Sequence, residues 1–109
     1  MTTLSPVNLQ YEVIKTYLGH EIVSPLGEHL GSLWNFAIDE TTHEVAYAIF
    51  QSGDKFYGFL WDEFHLCEEN TLQIMMSAEL LDELPGLDPE HCPPWRGHPV
   101  RLLEEPALN

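Results

Sequence analysis

The chain has 109 residues, 44% of them hydrophobic, with 18 acidic side chains against 4 basic ones and a formal charge of −14. That length suits one domain with one modest core, and that hydrophobic content excludes global disorder. The charge repels phosphate backbones and anionic lipid headgroups, and Lys15, Lys55, Arg96 and Arg101 cannot make a basic stripe unaided, so no direct nucleic-acid partner is expected.

The acidity reads first as solubility. As partner chemistry it favours a basic protein or a cation. No apolar run approaches the ~20 residues of a membrane helix, so no membrane insertion is expected. The opening MTTLSPVNLQYEV has neither the basic nor the apolar region of a secretory signal. Cys67 and Cys92 make no CxxC pair and read as reduced thiols of a cytoplasmic protein.

Residues 1–9 read as a loosely held arm. YEVIKTYL (11–18) mixes β-branched and aromatic residues and is expected to be extended. Residues 19–23 form a first strand with Ile22 or Val23 inward. Ser24-Pro25-Leu26-Gly27 is turn chemistry, since proline presets φ and glycine tolerates positive φ. GSLWNFAIDETTHEVAYAIFQ (31–51) reads as two strands joined by the polar loop 40–44. Period-two alternation puts Trp34, Phe36 and Ile38 on one face, and Val45, Tyr47 and Ile49 on one face of the next strand. These six are the expected core, and Phe50 falls on the opposite face.

Ser52-Gly53-Asp54 marks another reversal. FYGFLW (56–61) is an aromatic strand in which Gly58 marks a bulge or a close backbone approach. A brief extended stretch (64–66), a turn (68–70) and a last clear strand (71–76) follow, the last with Leu72, Ile74 and Met76 on one face. Ser77 is a helix N-cap for a short helix over 78–84, stopped by Pro85-Gly86. Residues 87–109 hold five of the eight prolines and are expected to be an irregular tail, pinned by Trp95 and Leu102-Leu103.

Short strands with turns at such spacing indicate an all-β fold, a small barrel or sandwich. Closure would remove exposed edges, which favours a barrel of about five to six short strands with one short C-terminal helix. The expected division is an arm (1–16), a barrel domain (17–86) and a Pro-rich tail packed on it (87–109).

The run over residues 18–84 resembles the PRC-barrel family, named for the photosynthetic reaction centre. LGHEIVSPLGEHLGSL (18–33) is similar to the family's opening strand, Pro/Gly turn and second strand. IDETTHEVAYAIF (38–50) is similar to its acidic turn and Val-Ala-Tyr strand. LWDEFHL (60–66) is similar to its Pro-Trp-x-x-Leu stretch, with Leu60 in place of proline. LQIMMSAELLDELPGLDP (72–89) is similar to its closing strand and short helix. Only residues 52–55 stand where the family often has a longer Gly-rich segment, which puts a partner contact through that loop in doubt. CPPW (92–95) resembles extensions of some bacterial stand-alone members. The resemblance implies a non-catalytic interaction module, a PRC-barrel-like fold and self-association. Members occur in a reaction-centre subunit, in a ribosome-maturation factor that binds a ribosomal protein, and as stand-alone proteins.

His91, Cys92 and His98 share the tail and are the candidate metal ligands, against the plainer reading of surface or capping histidines. Zinc wants three or four convergent ligands, and the prolines between these stiffen the segment, so no cofactor is expected. His20, His29, His43 and His65 have no ligand spacing. Cys67 follows His65 by two residues, but Glu68 and Glu69 oppose a thiolate. Asp62-Glu63, Glu68-Glu69 and Glu104-Glu105 point apart in extended structure and read as solvated faces. The aromatic run is apolar on both faces, so one set is either an interface or covered by the tail. Phe50, Phe56, Leu60 and Trp95 are the candidate interface of a homodimer that also binds a further, possibly basic, protein. The alternative is a metal- or small-ligand-binding protein, or a minor enzyme, using the His/Cys tail.

Overall fold

The computed structural model describes residues 6–104, with side chains from Tyr11 onward; the remainder of the expected arm and Glu105 of the last acidic pair lie outside the described residues. The chain is mainly β. Helix α1 (Pro6–Lys15) precedes β1 (Glu21–Val23), β2 (His29–Asp39), β3 (Val45–Ser52) and β4 (Lys55–Phe59). A single 3-10 turn (Trp61–Glu63), β5 (His65–Glu68), β6 (Thr71–Gln73), helix α2 (Ala78–Glu83) and β7 (Val100–Leu102) follow. One sheet runs in the order β4-β3-β2-β1-β6-β5, with β7 added to β2. Neighbours are antiparallel except β1 and β6.

Three expectations are corrected. The sheet is not closed: β4 and β5 are its two ends, and the outer side of β4 is met by the chain after α2, where Leu87 N–H donates to Phe56 O at 2.6 Å. The 11–18 stretch is not extended, because Tyr11 to Lys15 belong to α1. Pro6 opens that helix, where its missing N–H costs nothing, and the spacing of Tyr11 and Ile14 puts one apolar face against the core, which Leu18 from the following turn also meets. The tail packs on the domain through Trp95, Leu102 and Leu103 as expected, but it is not irregular throughout: β7 pairs Leu102, Arg101 and Val100 with Ala37, Ile38 and Asp39.

The central hairpin shows why the faces differ from simple alternation. Register slips between Leu33 and Asn35, and again between Ala37 and Ile38, leaving Trp34 and Ala46 as extra residues. Each bulge exchanges the face that following residues present. Leu33, Phe36, Ile38, Ala48 and Phe50 therefore join the main core, with Ile22, Tyr57, Leu72, Ile74 and Leu81. Ala37, Ala46, Tyr47 and Ile49 face the other side, where Trp34, Phe56, Leu87, Trp95, Val100 and Leu102 cover them. Both faces of the hairpin are buried, one by the domain core and one by the tail.

Two glycines mark close packing. A Cβ on Gly58 would stand 3.0 Å from the Tyr47 ring and 3.1 Å from Leu87, so this position accommodates the tail. A Cβ on Gly31 would overlap the Gln51 backbone carbonyl across the β2–β3 ladder. Because backbone cannot rotate away as a side chain can, Gly31→Ala is expected to destabilise the fold by about 2 kcal/mol or more, in the overpacking range. Urea unfolding measures it.

The turns follow their chemistry. Gly27 (φ 87°) closes the Ser24 turn, and Ser24 Oγ accepts from Leu26 N–H and Glu28 N–H. Gly53 (φ 64°) opens the two-residue β3–β4 loop. Ser77 Oγ accepts the Leu80 N–H at 3.2 Å and caps α2.

Candidate interaction surface

The expected interface residues separate. Phe50 is fully buried, which corrects its outward assignment: it stacks on Phe59 with centroids 5.7 Å apart at 14°, and meets Tyr57 and Phe64. Phe56 is half-buried against Trp34, centroids 4.7 Å apart. Leu60 is 46% exposed and Trp95 half-buried. Leu60 and Trp95 are brought together, lining one groove of about 590 Å³ with Glu44, Trp61, Asp62 and Arg96.

The groove is built by three elements. The hairpin loop delivers Glu44. Leu60, Trp61 and Asp62 come from the start of the 3-10 turn, where Leu60 N–H donates to Glu63 Oε2 at 3.1 Å. Trp61 is fixed from behind by Tyr17, Phe36 and Phe64, at centroid distances of 5.3, 5.0 and 5.5 Å. The third element is a hairpin inside the tail: Trp95 and His98 exchange backbone hydrogen bonds of 3.0 and 2.9 Å around Arg96 (φ 53°) and Gly97 (φ 78°). Two central residues at positive φ are the primed-turn pattern.

The tail histidines and cysteine do not converge. His98 Nδ1 lies 2.8 Å from Asp39 Oδ2. Asp39 is fully buried and also accepts from Thr41 N–H at 2.7 Å and Thr42 N–H at 3.1 Å. Burial alone would push its carboxyl up, but the His98 and threonine hydrogen bonds outweigh this and hold it at about 2. An ionised carboxylate only accepts, so His98 Nδ1 carries the proton. His91 pairs instead with Asp88 at 2.8 Å, which raises the imidazole pKa and lowers that of the carboxyl. Cys92 sits beside Tyr47, whose hydroxyl donates to Pro93 O at 2.8 Å. Burial pushes the Cys92 thiol up, so it is no activated nucleophile. Cys67 is exposed and is itself the extra residue of the β5 bulge, its Sγ 3.7 Å from Thr71 O.

Among the described residues, one group of three metal-type side chains converges: Asp88, Glu90 and His91, all exposed. It shares only His91 with the expected set.

Four residues lie outside the sequence-based expectations. Gly97 suits a tight turn, but Arg96 is not the asparagine or aspartate that a two-residue hairpin favours, and the surrounding prolines obscure the turn. Asp39 was read as part of an acidic turn, and nothing in its local sequence marks it as the buried partner of His98. Leu66 lies on β5, the free end of the sheet, and is 59% exposed. Comparison with models of known protein families and with curated proteins found no match to this chain. No helix among the described residues is long and apolar enough to cross a membrane.

Proposed function

We propose that this chain is a non-catalytic interaction module, related in kind to PRC-barrel proteins, that self-associates and binds another protein in the cytoplasm. The observation that carries the self-association is β5. It ends the sheet, all four of its residues are exposed, and among the described residues none of its backbone groups bonds outside the sheet. An unpaired edge is a template for another strand. Leu66 supplies the apolar contact. The strand is short, bulged between Leu66 and Glu68, and ends on a carboxylate, features that limit how far this edge can extend a sheet. The non-catalytic reading is supported by the tail groups themselves. His98 and Cys92 are held by hydrogen bonds that organise the fold, and His91 by a local ion pair.

Light scattering at high micromolar concentration tests this. A dimer is expected, and Leu66→Lys is expected to weaken it about ten- to a hundredfold through the lost apolar burial. Two chains of −14 repel, so the dimer is expected to strengthen with salt while binding of a basic partner weakens. A strict monomer at every salt concentration overturns the self-association.

A further inference from the structure

The groove between Trp61 and Trp95 already holds a cation. Arg96 places its guanidinium carbon 4.3 Å from the centroid of the Trp95 ring. This is the attraction of a positive charge for an indole face. The turn itself does not call for arginine: at φ 53° a non-glycine residue other than asparagine or aspartate is disfavoured, and Asn-Gly is the preferred pair. One of only four basic residues in the chain thus occupies a strained position over a tryptophan. Glu44 and Asp62 line the same groove, exposed, and Trp61 forms another of its walls. Indole faces with flanking carboxylates suit a lysine or arginine side chain.

We propose that this groove receives a lysine or arginine side chain from a basic segment of a partner protein, and that Arg96 occupies the Trp95 face until displaced. This rests on the interaction-module reading and names the partner's chemistry. The two carboxylates draw the segment in, and the rigid Trp61 and the Trp95 face receive the side chain. The occupant is intramolecular, so Arg96 lowers the apparent affinity by the fraction of time it covers the ring.

The test uses the full chain and a labelled, end-blocked hexalysine peptide at near-physiological salt, followed by anisotropy and by the indole N–H resonances of Trp61 and Trp95. Arg96→Asn is expected to tighten binding about two- to fivefold, the range of an exposed cation–π contact. Lys55→Asn makes the same charge change outside the groove and is expected to tighten it less. Glu44→Gln with Asp62→Asn is expected to weaken binding more than Glu68→Gln with Glu69→Gln. Equal effects within either pair, or unmoved Trp61 and Trp95 resonances, overturn the inference in favour of diffuse charge attraction. Oligomeric state measured on the same samples separates the two readings. A dimer without groove-dependent binding overturns only this inference; a monomer with groove-dependent binding supports it and overturns only the self-association.

Discussion

Phe50→Ala is expected to destabilise the chain by about 3–5 kcal/mol, the range for removing a buried phenylalanine, and Phe50→Asp to prevent folding. Phe50 has no exposed surface, and aromatic rings from β4 and the segment after the 3-10 turn converge on it. Truncation opens a cavity at the meeting point of three parts of the chain, with little freedom to collapse. A carboxylate there would be an unpaired charge in an apolar site. Leu60→Asp on the groove rim is the matched control and is expected to change stability little, since Leu60 is 46% exposed. Urea unfolding followed by circular dichroism distinguishes them. A folded Phe50→Asp chain of ordinary stability would mean that the bulges do not exchange the faces of the hairpin as described.

Asp39→Ala is expected to release the tail from the sheet. Asp39 is where the hairpin loop, β7 and the tail hairpin meet: its carboxylate holds Thr41, Thr42 and His98, and the neighbouring Glu40 N–H donates to Pro99 O at 2.9 Å. Without it, Thr41 and Thr42 lose their acceptor and His98 its partner. The pH dependence has a definite sign. The folded carboxyl titrates at about 2, below its ordinary 3.8. A depressed pKa stabilises the fold fully above the unfolded value, and that contribution disappears as pH falls through the folded one. Wild type is therefore expected to lose stability between about pH 4 and pH 2 relative to Asp39→Asn, which keeps an acceptor oxygen but does not ionise. Urea midpoints for both proteins at pH 7, 4 and 2.5 give the comparison. Parallel curves would show that Asp39 does not carry this acid sensitivity.

Local rules reached much of the fold. The Ser24 turn, the Ser52–Lys55 reversal, the Ser77 cap, the inward face of Leu72 and Ile74 and the close approach at Gly58 all follow from residue chemistry within a few positions. The errors arose where distant segments decide. Trp34 and Ala46 are bulged, and alternation cannot show a register slip, so Phe50 was placed outward when its ring lies inward. Helix α1 was obscured by β-branched residues whose propensity is outweighed once Ile14 is buried. The tail was judged by its prolines, yet Pro93, Pro94 and Pro99 flank a tight hairpin and lead into β7. Of the candidate site, Leu60 was expected from the apolar second face of the aromatic strand and Trp95 from the tail residue set to pack on it. Their meeting with Arg96, Glu44 and Asp62 depends on the tail folding back across the sheet, which no local spacing encodes.

Hydrogen exchange of the β5 amides, followed from low to high micromolar protein, tests the proposed interaction role most directly. If β5 pairs with a second chain, the amides on its outer edge gain protection as concentration rises, and Leu66→Lys abolishes the gain while leaving β2 and β3 unchanged. Exchange at β5 that stays fast at every concentration would contradict self-association through this edge.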